Sequence, residues 1–315
     1  MEVNESLKIP NIVKWAKRIA SDFFDQPKDD IIIKISLVFV LLFVKSRWYF
    51  HYPIRVLAIY MLISGKFSLN KGLWAIIVAS AVAINISEWF VIDNHKFLGT
   101  YWLFTCFISL CYERGEERRT FLENNATILI GLCFFWATLW KFLGGEFLDG
   151  SFFKFVLLAD SRIHALSSIV AGFPPEVLKQ NYLILEDIIN YPFEFNYGRL
   201  NSAPIHTTLS YFMSYWTIAT EGLMAACFLP QFHPNWKFFR LLYKWRDFLL
   251  FYFIVCVYPI FSVSGFNYIL FTMGLSQADL RNKRTLYLYF FMLLFTELNR
   301  LPWKIMINSV AGILN

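Results

Sequence analysis

Long apolar stretches constrain the fold of this chain more than any other feature of its sequence. A helix needs about 20 mostly apolar residues to cross the hydrocarbon core of a bilayer, with some latitude for tilt. The sequence therefore predicts an all-α fold. The predicted fold is a polytopic membrane bundle of about eight segments, some of which are candidates for re-entrant insertion. The candidate segments are roughly 31–45, 54–65, 73–92, 97–112, 126–142, 207–229, 247–275 and 286–298.

The composition agrees with a lipid-facing surface. The 315 residues are 57% hydrophobic and 20% aromatic, and only 17% are charged, whereas soluble domains carry about 25% charged residues. The segments 54–65 and 286–298 are short, so each is a candidate for partial insertion. The segment 247–275 is long and contains Pro259, which predicts a kinked or broken helix.

The domain organisation follows from the same pattern. Residues 1–30 are polar with scattered apolar positions and lack the features of a signal peptide. They are interpreted either as an interfacial amphipathic helix or as a solvated leader. Residues 31–315 form a single transmembrane domain, with a lid-like segment at 143–206. The five cysteines form no CxxC pair, so neither a disulfide framework nor a metal site is predicted.

Positive charge sets the predicted orientation, because cytoplasmic loops are enriched in Lys and Arg. If all eight segments cross, the side of the N-terminus carries 16 Lys and Arg residues and the opposite side carries 11. The N-terminus is therefore predicted to be cytoplasmic, with 93–97, 143–206 and 276–285 facing outward. The net charge is +6, and the basic residues lie at segment ends. This pattern favours anionic lipid over nucleic acid as a partner.

Polar residues at the segment ends are the candidate functional groups. Lys141 stands just before Gly144-Gly145, a natural helix stop. It is interpreted either as a snorkelling lysine or as a base in a partly dry pocket. His95, in the polar hinge "DNHK", titrates near neutrality. Glu88, Glu221 and Glu297 lie in or near apolar segments, and each either neutralises a buried cation or sits protonated against another helix.

Two stretches carry a resemblance to a known family. "DNHKFLGTYWLFTCFISL" (93–110) and "FFWATLWKFLGGEFLDGSFF" (134–153) resemble the two signatures of the HTTM, or horizontally transferred transmembrane, family. Its members include the membrane domain of vitamin K-dependent gamma-carboxylase and short bacterial proteins that mature a toxin. "YWTIATEGLMAACFLP" (215–230) is similar to a later family helix that bears a membrane acid. Asp93 stands where the family motif has Asn.

The resemblance implies a site and a cofactor. Asn94 and His95 match the first motif, and Lys141 matches the lysine that acts as a base on a quinol of the vitamin K type. Glu221, Trp136 and Trp140 are the expected cofactor contacts. The predicted topology places His95 and Lys141 on the same outer side, so the three candidate catalytic residues are expected to converge on one cavity.

These observations favour a base-dependent enzyme of a bacterial inner membrane, and the resemblance implies that it is linked to a quinol. The enzyme is expected to modify or mature a peptide or a lipid-embedded substrate at the outer face. The alternative is a non-catalytic membrane subunit that binds lipid, quinone or a partner protein in the same cavity. A transporter lined by the broken segment and the buried acids is a third interpretation. Membrane lipid is the expected partner in each case.

Overall fold

The computed structural model describes residues 26–43, 48–90, 94–160, 163–172, 174–190, 200–229, 237–258 and 263–300. Within these ranges the chain forms thirteen α-helices and a 3-10 turn at Lys66–Leu69, and it contains no β-strand. The prediction of an all-α fold is confirmed. The predicted interfacial segment 1–30 lies almost entirely outside the described residues.

The chain divides into two compact units, one made of 1–127 and 268–280 and the other of 128–267 and 281–315. The helices that begin in the first stretch are α1 Lys28–Phe43, α2 Trp48–Ser64, α3 Lys71–Ser87, α4 Asn94–Ser109 and α5 Glu116–Gly144. Those that follow are α6 Ser151–Ala159, α7 His164–Ala171, α8 Pro175–Asn190, α9 Pro204–Phe228, α10 Lys237–Lys244, α11 Arg246–Val257, α12 Ser264–Gln277 and α13 Lys283–Arg300. Helices α5 and α12 each run from one unit into the other.

Every predicted apolar segment coincides with a helix, and one of them coincides with two. The long segment 247–275 is not a single helix, because α11 ends at Val257 and α12 begins at Ser264. Among the described residues, α5 is the helix that is both long enough and apolar enough to cross a membrane. Two further apolar stretches, Tyr52–Ser64 and Lys71–Ser87, are shorter.

A buried polar contact joins α1 to α4 in the first unit. The indole nitrogen of Trp102 donates to the hydroxyl of Ser36 at 2.9 Å, and the Cys106 thiol lies 3.4 Å from the same oxygen. Ser36 in turn donates to the carbonyl of Ile32 at 2.8 Å. Since a buried polar group without a partner is costly, this chain of bonds satisfies each of the three side chains and fixes how the two helices face each other.

A buried charge network fixes the start of α1. Asp29 and Asp30 are both buried, and the guanidinium of Arg118 lies 3.5 Å and 3.3 Å from their carboxylates. Arg114 pairs with Asp30, and the backbone N–H of Gly115 donates to Asp29 at 3.2 Å. Two acids in the first turn of a helix also suit the positive end of its dipole. The network ties the α4–α5 turn to the beginning of α1.

Lys28 joins the start of α1 to the residue that follows α12, within the first unit. Its ammonium donates to the carbonyl of Ala278 at 2.6 Å and to Glu123 at 2.7 Å. Residue 278 therefore lies beside the start of α1. The side of the membrane on which 276–285 lies stays a prediction.

A contact in the second unit joins α13 to α11. The hydroxyl of Tyr289, in the second turn of α13, donates to the carboxylate of Asp247 at the start of α11 at 2.7 Å.

Helices α5 and α9 pack antiparallel. A methyl group placed on Gly131 would lie 2.7 Å from Leu229 Cδ2, and one on Gly222 would lie 3.6 Å from Thr138 Cγ2. Residue numbers therefore increase along α5 in the direction in which they decrease along α9. Glycine at both crossing points removes the side chain that would hold the two backbones apart. The first half of α9 consequently extends past the end of α5.

Most described residues of the predicted lid-like segment 143–206 are helical, and the segment packs on the extended half of α9. Phe153, Val156 and Leu157 of α6 and Ile163 before α7 are buried with Met213 of α9. The segment therefore shares a hydrophobic core with α9. Residues 191–199 lie outside the described residues.

Large apolar side chains are exposed along most helices. They occur on α2, α3, α5 and α9 as well as on shorter elements. A soluble monomer rarely leaves an apolar surface this extensive in contact with water, and this distribution supports a lipid-facing surface. Examples with at least half of the side chain exposed are Val56, Ile63, Ile86, Trp89, Trp136, Trp140, Phe212 and Tyr215.

Candidate functional site

A buried ion pair joins α5 to α9 in the second unit. The ammonium of Lys141 lies 2.5 Å from Oε2 of Glu221, and the two side chains are only 13% and 11% exposed. Both residues were candidates from the sequence, and the structure brings them together. Of the two roles that the sequence left open for Glu221, the structure shows the ion pair.

The ammonium has two further contacts. Lys141 lies 3.4 Å from the carbonyl oxygen of Ala137, one turn earlier on α5. It also lies 4.9 Å from the centre of the Phe147 ring, within the range of a cation–π contact. Phe147 stacks on Phe152 at 4.3 Å between ring centres and meets Phe153 edge-on. Phe147 therefore covers part of the ion pair, with two further rings packed against it.

Glycines shape the turn that brings this cover over the pair. Helix α5 ends at Gly144, and Gly145 follows in the left-handed region with φ 75°, which confirms the predicted helix stop. Gly150, with φ 74°, precedes α6 in the same conformation. Tyr215 of α9 donates from its hydroxyl to the carbonyl of Leu148 at 3.2 Å. The turn is thereby attached to the helix that carries Glu221.

The protonation of the pair decides which group can act as a base. At this separation the ammonium donates to the carboxylate in a charge-assisted hydrogen bond. A protonated lysine cannot accept a further proton, so the pair gains one only at Glu221 or after the lysine has passed its own proton to Glu221. With an ammonium and a carboxylate in contact, the two residues together carry no net charge.

The two predicted cofactor-binding tryptophans lie on the outer surface of α5. Trp136 is 51% exposed and Trp140 is 65% exposed. They precede Lys141 by five residues and by one, so they point away from the side that meets α9. Of the three predicted cofactor contacts, Glu221 is the one that the structure brings to the Lys141 ammonium.

Asn94 and His95 belong to the other unit, in the first turn of α4. The nearby Lys96 pairs with Glu88 at 3.1 Å, which is one of the two roles that the sequence left open for Glu88. His95 is half-buried. The convergence of Asn94 and His95 with Lys141 on one cavity stays a prediction.

A second buried polar cluster was missed by the sequence reasoning. The hydroxyl of Ser167 on α7 lies 3.1 Å from Nε2 of His206 on α9. The backbone N–H of Ala203 donates to Nδ1 of the same ring at 3.0 Å. Burial, and the positive charge of Lys154, lower the pKa of His206 below its ordinary value of 6.5. A serine and a histidine 39 residues apart on an otherwise apolar pattern leave no signal by which the pair could have been found.

This cluster lacks the geometry of a nucleophilic dyad. Because Nδ1 of His206 accepts the bond from Ala203, the ring carries its proton on Nε2 and donates it to Ser167. A general base must instead accept the proton of the serine at that nitrogen. The pair therefore positions the start of α9 against α7. The described residues also contain no group of three or more His, Cys, Asp or Glu that could hold a metal ion.

Comparison of the chain with protein-family models, with curated proteins and with solved structures finds no match.

Proposed function

We propose that this protein is an integral membrane enzyme in which Lys141 and Glu221 together accept a proton from a quinol-type hydroxyl. The observation that carries the proposal is the buried, aromatic-covered ion pair between α5 and α9. A titratable pair held in a partly dry environment is the usual means by which a protein tunes an acid or a base. The HTTM-like sequence around Asn94, His95 and Lys141 supports a quinol as the ligand class.

The proton transfer balances within the pair. The shared proton of Lys141 moves to Glu221, and the free amine then takes the hydroxyl proton of the quinol. The products are a quinolate anion, the Lys141 ammonium and a protonated Glu221. Total charge is unchanged, and the new anion lies beside an ammonium that stabilises it.

A spectroscopic experiment tests the proposal. Full-length protein in phosphatidylcholine nanodiscs is mixed without oxygen with vitamin K hydroquinone, and the ultraviolet absorbance of the quinolate is recorded against pH. We expect at least tenfold more anion at a given pH near neutrality than in empty nanodiscs. The variant Lys141→Met should lose this excess, whereas Lys179→Met, an exposed lysine on α8, should retain it.

A second variant guards against misfolding. Lys141→Met leaves the carboxylate of Glu221 buried without its cation, so Lys141→Met combined with Glu221→Leu removes both charges and restores packing. Loss of the quinolate signal in this folded double variant supports the proposal. An unchanged signal in it, or no excess of anion in the original protein, overturns the proposal.

A non-catalytic membrane subunit is the second candidate function. It is favoured by the three contacts that the Lys141 ammonium makes with Glu221, Ala137 and Phe147, as expected for a structural ion pair. On this alternative the protein holds lipid, quinone or a partner protein without altering it. Hydroquinone binding that persists without any excess of anion would support it.

A further inference from the structure

Helix α10 carries an exposed apolar stripe that continues into α11. Phe238, Leu241, Trp245 and Phe248 are 64%, 55%, 52% and 48% exposed. Their spacing of three, four and three residues places them on one face of a helix. The path stays helical between α10 and α11, because Trp245 donates to the carbonyl of Leu242 and accepts from Leu249, both at 2.9 Å.

Exposed lysines border this stripe. Lys237 and Lys244 lie seven residues apart, on one face of α10, and both are exposed. Within the described residues neither forms an ion pair. The face that they share is turned about 70° from the centre of the aromatic stripe, since successive residues in a helix are separated by about 100°. A flexible lysine stem can therefore place its ammonium just above the depth reached by the rings.

Nearby charges leave the two lysines available to an external anion. The guanidinium of Arg246 lies 3.8 Å from the ring centre of Tyr243 and donates to its carbonyl at 3.0 Å. The carboxylate of Asp247 accepts from Tyr289. The acid closest in sequence thus points into the protein.

We propose that α10 and the start of α11 form a binding surface for anionic phospholipid headgroups. An aromatic stripe flanked by lysines is the pattern of a helix that lies in the membrane interface, with its rings among the upper acyl chains. The helix follows α9 by eight residues, in the segment 231–246 that carries four Lys and Arg residues and is predicted to be cytoplasmic. The lysines would contact phosphate oxygens there, and cytoplasmic leaflets are the anionic ones.

The occupant follows from charge complementarity. A neutral lipid or an apolar protein groove would satisfy the aromatic stripe but would leave the lysines without a counter-charge. An anionic bilayer surface satisfies both features at once. This surface is independent of the Lys141–Glu221 pair and of the reaction proposed for it.

Lipid titration tests the surface. Full-length protein in a neutral detergent is titrated with dioleoylphosphatidylglycerol or dioleoylphosphatidylcholine, and bound lipid is counted by native mass spectrometry. We expect the protein to prefer phosphatidylglycerol. A basic side chain at an anionic surface strengthens binding by about fivefold, so Lys237→Gln with Lys244→Gln should weaken phosphatidylglycerol binding by roughly fivefold to twenty-five-fold. Binding of phosphatidylcholine should not change.

A matched variant controls for general charge. Lys71→Gln with Lys179→Gln removes two exposed lysines from α3 and α8 and should leave the preference intact. Equal losses in both double variants, or no preference in the original protein, overturn the proposal. A dimer that dissociates in Lys237→Gln with Lys244→Gln, without any change in lipid binding, would show that a second copy covers this face and would also overturn it.

Discussion

Removing the carboxylate of Glu221 while Lys141 stays in place probes the central ion pair most directly. The ammonium of Lys141 would then remain buried beneath Phe147 with the carbonyl of Ala137 as its nearest oxygen. A buried charge that has lost its partner is far more costly than a pair that has been removed entirely. Glu221→Leu should therefore destabilise the protein much more than the combination Glu221→Leu with Lys141→Met.

The structure sets the size of this effect. Both side chains are nearly buried, at 13% and 11% exposure, so solvent screens the pair little. Breaking such a pair from one side costs about 3–5 kcal/mol. For a domain of this size, that loss corresponds to a decrease in Tm of roughly 6–20 °C. The double variant should recover most of the difference, because its two apolar side chains fill similar volumes without a charge.

Thermal unfolding in detergent provides the assay, with the fraction of monodisperse protein measured by size-exclusion chromatography after heating. Arg119→Gln is the comparison variant, since Arg119 pairs with Glu116 and, at 3.7 Å, with Glu123, and all three side chains are at least 33% exposed. Pairs in contact with solvent contribute about 0–1 kcal/mol each. The reasoning is refuted if Glu221→Leu lowers Tm no more than Arg119→Gln does. It is also refuted if the double variant is as unstable as the single one.

Three further predictions concern other parts of the fold. Gly131→Ala places a methyl group 2.7 Å from Leu229 Cδ2, and this overpacking should lower the free energy of unfolding by about 1–3 kcal/mol. The methyl group of Gly144→Ala would have no atom within 4 Å, so that variant should be tolerated. Thermal unfolding of the two variants distinguishes them. Asp30→Asn leaves part of the buried arginine charge uncompensated and should lower Tm by several degrees, which the same assay measures. The pKa of His206 is lower in the folded protein than in the unfolded chain, so the unfolded chain binds a proton at a higher pH. The free energy of unfolding should therefore fall as pH drops below about 6.5. A pH series of Tm values, with His206→Gln removing this dependence, checks it.

Much of the candidate site was predictable from the chain alone. Lys141 stood out because a lysine before Gly144-Gly145 ends an otherwise apolar segment, and Glu221 stood out because an acid inside an apolar segment is expensive without a partner. Local sequence also set the end of α5, since glycine readily adopts the left-handed conformation found at Gly145. These signals depend on residues close together in sequence.

The pairing itself was not predictable. Lys141 and Glu221 are 80 residues apart, and which acid meets which cation depends on the register of α5 against α9. That register is set by the close approach at Gly131 and Gly222. The attachment of Asp29 and Asp30 to Arg118 escaped the sequence reasoning for the same reason, because spacing along the chain does not encode contacts between distant helices.

Hydrophobic patterning by itself determined that this chain folds into helices and where most of them lie, since a run of apolar residues fixes backbone hydrogen bonding locally wherever it occurs. Only the tertiary structure decided which helices pack against each other and through which residues. The bond from Lys28 to Ala278 brings residue 278 beside the start of α1, and the contact of Lys141 with Glu221 pairs two charges from different helices. Both results depend on side-chain packing between helices, which no single stretch of sequence contains.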